Sequence, residues 1–483
     1  MLFILYQYSA IAYEELDKHF KYLGNEINIM IQDLIKSVPS YREFLTVDEL
    51  YQSDKELAQK HPNMVKLRKI GTSKNSAPIQ ALQIGEGKYQ AVLFGFPHPE
   101  EPSGSLVLNY LSERLAENED LRKRFDYTWH IVKCADPDGA RLNEAWFKKF
   151  SVKNFALNYY RPPSHKQVEW SFPVKYKGYE WNSPIPETKA LMNLIDKTKP
   201  DFISSLHMAG FGGVYFYVSD DYPSLFKKFY DVVKAEGLPL HLGEPEVPYR
   251  VKLAEAVFKM PSFEDSYDYY MKQLGMVPEE LKRGTSSYGY ARGISNPFTL
   301  VNEVPFLFHE KAADITPTET DRKQSKLEEI GRRETVYRII QNQFKTAEAH
   351  LDKTSPFYEV VSDYLKRTHH TLEAEKKWIE TDPTIRRKAT EAEIFDSTIG
   401  VILDALCNYG VFIRLLNASA PKTAKKSTIS RCLEEVKGRF DEAYEEFEKR
   451  AKYKIIPIQK LVRVQLGSLL HSADYLRQVR IKR

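Results

Sequence analysis

The sequence predicts an α/β fold: a mixed, mostly parallel sheet flanked by helices, followed by an all-α C-terminal domain. Three observations predict it. Short apolar runs of strand length alternate with stretches of helical period up to about residue 315. Beyond that point strand-like runs almost vanish and long amphipathic segments take over. The chain has 483 residues, which calls for more than one domain. The expected boundaries are an N-terminal helical extension over 1–44, an α/β domain over 45–315 and a helical domain over 316–483.

Leu16, Phe20, Leu23, Ile27, Ile31 and Leu34 recur at helical spacing and predict a helix over about 12–37. A second helix runs from Thr46 to Lys60, with Thr46 or Asp48 at its cap. Residues 66–71 and 78–84 read as strands joined near Asn75. Residues 90–96 form an apolar run that ends before His98, and 127–134 another that ends at AspProAspGly. Residues 202–206 lead into His207, 214–218 form a further run, and 298–301 end beside Glu303. Helices are expected over 105–118 and 187–198. The C-terminal helical segments are 324–351, 356–379, 391–416, 429–452 and 458–478. Every candidate site residue then stands at or just past the carboxyl end of a strand, where open α/β sheets bind their ligands.

Hydrophobic content of 42% and charged content of 28% are those of an ordinary globular chain. A net charge of +4 is too weak to argue for nucleic acid or a membrane surface. Cys134, Cys407 and Cys432 are odd in number and widely spaced, so no disulfide framework is expected. A reducing, cytoplasmic compartment fits them. The apolar N-terminus lacks a basic flank, although Ser9-Ala10-Ile11-Ala12 imitates a cleavage site and keeps secretion as an alternative. The apolar stretch 398–418 carries Asp404 and Arg414 and reads as a buried helix. The helical domain offers a route to a homo-oligomer, but no motif names a partner.

The chemistry sits in three places. His98 and Glu101 lie in ProHisProGluGluPro, where prolines stiffen a loop and the His-x-x-Glu spacing brings two ligands to one ion. His-x-x-Glu alone is common by chance. His207, taken alone, reads as a satisfied core histidine, and Glu303 as a strand-end carboxylate in an ion pair. Together, two imidazoles and one carboxylate leave a zinc ion with an open fourth position, and Glu303 is a spare carboxylate for a general base.

The order His-x-x-Glu, Pro137-Asp138-Gly139, Pro186-Glu187-x-x-Ala190, LeuHis207 and a strand ending at Glu303 resembles the zinc metallocarboxypeptidase family over about 45–312. Carboxypeptidase A is itself the standard example of a His₂Glu zinc site. The resemblance implies one Zn²⁺ per chain on His98, Glu101 and His207. It implies Glu303 as general base and a peptide C-terminal amide as substrate. A polarising arginine falls on Arg141, two positions after AspProAspGly and closer than the family pattern. The carboxylate-binding segment falls on Asn158 and Arg161, with Tyr159 where arginine is expected. The family's acidic residue beside that segment is missing, and Asp136 or Asp138 is a substitute. Tyr288 and Arg292 lie in the loop before Glu303 as further substrate contacts, while Tyr267, Tyr269 and Tyr270 are farther off. The altered arginines keep a second reading open, a zinc amidase or cell-wall peptide hydrolase. A third, an inert binding scaffold, predicts damage at the four key residues, and all are present.

Overall fold

A computed structural model describes residues 26–244, 247, 249–272, 275–420 and 427–481. Most of the predicted N-terminal helix lies outside them; residues 26–36 are helical, and Ile27 and Ile31 are fully buried. Thr46 caps the helix Val47–Lys60 through a capping box with Glu49.

The main sheet uses β1 (Val65–Thr72), β2 (Pro78–Ile84), β3 (Tyr89–Phe94) and β4 (Tyr127–Val132). After a small hairpin, β5 (Val174–Tyr176) and β6 (Tyr179–Trp181), it continues with β7 (Phe202–Phe211), β8 (Tyr215–Val218), β9 (Lys252–Ala254), β10 (Val257–Lys259) and β11 (Phe298–Phe308). The order is β1-β2-β4-β3-β7-β11-β8-β10-β9, and Lys454–Ile455 adds a short strand to β11. Its centre, β4-β3-β7-β11, is parallel, while β1, β2 and β8 run antiparallel to their inner neighbours.

Alternation along β3 explains why the sheet needs cover on both faces. Val92 and Phe94 pack with Leu191 and Ile195 of the helix Pro186–Thr198. Ala91 and Leu93 belong to the opposite cluster, with Leu106 of the helix Ser103–Glu117 and Leu469 of the helix Ile458–Ile481. That cluster also takes in Leu406, Phe412 and Phe440, so the C-terminal helices share one apolar core with the sheet.

Two expected strands run on further than their apolar runs suggested. β7 continues to Phe211 and β11 to Phe308, in register from Phe202↔Phe298 to Phe211↔Leu307. His207 and Glu303 therefore stand inside strands, paired with each other, and not past their ends. The reason lies one strand over: β3 pairs with β7 only as far as Ser205, so the step in the sheet falls just before His207.

The C-terminal helices are Arg322–Ala347, Pro356–Thr381, Val401–Ser419, Thr428–Ala451 and Ile458–Ile481. The apolar stretch Glu391–Ser419 has the length and hydropathy of a membrane span, yet 78% of its window is buried within the protein. Its Arg414 donates to the carbonyls of Leu142, Asn158 and Tyr159 at 2.6–3.0 Å, clamping the loop behind the site. Gly410 sits where a Cβ would come within 1.8 Å of the Ala156 carbonyl oxygen. Gly410→Ala should therefore force this helix off the helix Val152–Asn158 and destabilise the chain by about 1–3 kcal/mol, read as a lowered Tm in thermal unfolding.

Candidate metal centre

β3 ends at Phe94, and the chain then turns through Phe96, which holds a φ of 51° while fully buried. A non-glycine residue in the left-handed region is costly, and here it redirects the chain into Pro97-His98-Pro99. Gly104 lets the next helix close on β7, because a Cβ there would lie 2.6 Å from the Leu206 Cβ. The loop is thus pressed against His207.

His98, Glu101 and His207 converge, each buried, with potential ligand atoms all within 4.8 Å of one another. Nδ1 of His207 lies 3.0 Å from Oε2 of Glu101 and 3.8 Å from Oε1 of Glu303. Ligands held about 2.0–2.2 Å from a zinc ion stand roughly 3–4 Å apart, so the spacing fits. Nδ1 of His98 is buried with no hydrogen-bond partner among the described residues, which a cation at the centre would satisfy. The donor set suits zinc.

The ring orientations are fixed from behind. Nε2 of His207 is 3.1 Å from Ser205 Oγ and 3.8 Å from Oε1 of Glu169, leaving Nδ1 toward the centre. Glu169 is held by the Ser287 amide and hydroxyl at 2.9 and 3.0 Å. His98 stacks on Trp170 and meets the His207 ring edge-on. Beneath lies Gln465, fully buried on the helix Ile458–Ile481. It donates to the His207 carbonyl at 2.7 Å and accepts from the Ser103 hydroxyl at 2.8 Å. Asn302, beside Glu303, donates to the Gln465 carbonyl and to Ser468 Oγ.

Burial, with the Arg161 and His207 charges, holds the His98 imidazole well below its usual range, so it is neutral. Burial also disfavours charge on His207, but Glu101, Glu169 and Glu303 outweigh it and hold that ring well above the usual range. Burial lifts Glu100 to about 7 against the pull of Arg161.

The substrate-side residues divide. Arg161 and Tyr288 line the cleft of about 510 Å³ around the centre, with Thr285, Ser286 and Tyr270. Arg161 is engaged, 2.8 Å from Glu100 and 3.5 Å from Glu101. Arg141 does not line the cleft: it reaches outward to Asp48 at 2.6 Å, because the short helix Pro137–Arg141 carries it to the surface. Asn158 bonds back to Asn154 within its own helix and stays out of the cleft. Arg292 is exposed at the end of its helix, outside the cleft and beside Tyr288. Asp136 accepts from Gly139 and Asp138 from Asn75, so neither carboxylate replaces the missing acid; Glu169 stands behind His207 instead. Arg283, which no motif marked, lines the cleft, stacks over Trp170 at 4.8 Å and donates to Ser266.

The sequence pattern of the family described as zinc carboxypeptidase fits residues 50–322. The chain belongs to that family. A relative from Anopheles gambiae described as zinc carboxypeptidase A 1 is 26% identical over 119 residues, 22% of this chain and 27% of the relative. The match thus spans about a quarter of that relative's length. Among solved structures, carboxypeptidase A from Helicoverpa armigera is 14% identical, covering 59% of this chain and 72% of its own, with a TM-score of 0.37. Bovine thrombin-activatable fibrinolysis inhibitor, solved in complex with tick carboxypeptidase inhibitor, is 12% identical, covering 70% of this chain and 97% of its own, with a TM-score of 0.36.

Two outcomes follow. Gln465→Leu removes the partner of the Ser103 hydroxyl and one donor to the His207 carbonyl. It should lower stability by about 1–3 kcal/mol and zinc affinity roughly 10-fold, measured by denaturation and chelator competition. The metal-free chain holds a proton on His207, because its folded pKa is raised, and a ligand imidazole must give that proton up. Zinc affinity should therefore rise with pH. Calorimetry in buffers of different ionisation enthalpy should detect the released proton.

Proposed function

We propose that this chain is a zinc-dependent hydrolase that cleaves a peptide amide at the C-terminal end of its substrate. The observation that carries the reading is the convergence of His98, Glu101 and His207 in one buried cleft with Glu303 alongside, 3.8 Å from His207. Zinc, when bound by these three residues, supplies Lewis acidity to water and to the scissile carbonyl. Glu303 takes the proton from the attacking water and delivers it to the departing amine. Its place in β11, in register with His207, keeps its carboxylate 3.8 Å from that ring. His98 remains neutral and Glu169 steadies His207.

A second reading is favoured by one observation. Arg161 is spoken for by Glu100 and Glu101, which leaves it poorly placed to hold a free terminal carboxylate. Either Arg283 takes that role, or the substrate lacks the carboxylate and the chain acts as an amidase.

Matched peptides with free and amidated C-termini, incubated with zinc-loaded chain, separate the two. Release of the terminal residue from free acids alone supports the exopeptidase; equal or better cleavage of amides supports the second reading. Glu303→Gln should retain zinc and lose about 10²–10⁴-fold in kcat on whichever substrate is cleaved. Full activity in that variant would remove Glu303 as the base.

A further inference from the structure

A second chamber adjoins the zinc cleft. It has a volume of about 380 Å³ and lies between the sheet and the helices Arg322–Ala347, Pro356–Thr381 and Val401–Ser419. Arg161, Met208, Gly210 and Asp404 line both spaces, so the two adjoin. β7 connects them physically, running from His207 on through Met208 to Gly210.

The charged groups facing this chamber are all accounted for except one. Glu100 is taken by Arg161, and Arg161 also leans on Glu101. Arg333 is bonded to Glu375 at 2.5 Å and lies 3.8 Å from Glu329. The carboxylate of Asp404 has no hydrogen bond or ion pair among the described residues. Its side chain is exposed, and it lines the chamber from the first turn of the apolar helix Val401–Ser419. An open carboxylate with no partner among the described residues offers a counter-charge to a cation brought in from outside.

We propose that this chamber is a substrate subsite in which Asp404 receives a cationic group, an ammonium or guanidinium, carried by the substrate close to the scissile amide. The proposal rests on the zinc-hydrolase reading for the identity of the ligand as substrate; the cation site itself does not. The aromatic walls, Tyr159, Tyr364 and Phe306, suit the aliphatic stem of such a group. The specificity of the cleft is then set by a helix outside the span that matches the family, residues 50–322.

The test uses the full zinc-loaded chain and matched peptides carrying Lys, norleucine or Glu at each position flanking the cleaved bond. The wild type should favour Lys over norleucine by about 10-fold or more in kcat/KM at one of these positions. Asp404→Asn should bring that ratio near one, and Asp404→Lys should turn the preference toward Glu. No preference in the wild type, or an equal loss on all peptides in Asp404→Asn, overturns the proposal. Calorimetric titration with butylammonium and butylguanidinium gives an independent readout. Binding that disappears in Asp404→Asn upholds the cation site even if no peptide is cleaved, in which case the hydrolase reading alone falls. Absent binding with intact cleavage overturns the cation site and leaves the hydrolase; absent binding and absent cleavage overturn both.

Discussion

A single buried amide ties the centre together. Gln465 bridges the Ser103 hydroxyl, two residues from Glu101, and the His207 carbonyl, while its own carbonyl accepts from Asn302, the neighbour of Glu303. Three segments far apart in sequence are thereby referenced to one helix. Buried polar groups stay only where they are satisfied, and Gln465, Ser103, Asn302 and Ser468 are all fully buried. The strand alternation makes this workable: Glu303 faces the cleft while Asn302 faces the helix. The placement of His207 and Glu303 thus depends on the terminal helix as well as on the sheet.

Around that girder the charge is strongly asymmetric. Glu100, Glu101, Glu169 and Glu303 crowd two imidazoles and one arginine. In the absence of a metal cation the excess negative charge falls on His207, which holds a proton against burial. A divalent cation at the centre neutralises the same carboxylates and frees the ring to act as a ligand.

The local code was legible. The helix capped at Thr46, the apolar runs leading to His98 and His207, and the five C-terminal helices all appear where spacing placed them. What spacing misjudged was reach. The Met208 to Phe211 tail of β7 looks unlike a strand, with Gly210 in it, yet pairing with β11 carries it on. Arg141 and Asn158 were placed by motif and turn elsewhere, because a short surface helix and a self-bonded turn of helix point them away from the cleft. Glu169, Trp170 and Arg283 carried no periodic or motif signal, lying in a three-residue 3₁₀ helix and a loop whose positions only the assembled fold decides.

The sequence by itself determined the α/β alternation and the helical C-terminal segments, since period is a local property; His98, Glu101, His207 and Glu303 were singled out only as a set, through the order of motifs that resembles the family. It also marked Asp404 and Arg414 as charges in an otherwise apolar run. Only tertiary structure decided their uses: Arg414 clamps three carbonyls behind the site and Asp404 faces the second chamber. The same holds for Gln465, one polar residue among many until its helix docks. Hydrogen-bond partners hundreds of positions apart leave no spacing to read, and which groups end up paired or unpaired is settled only when the core closes.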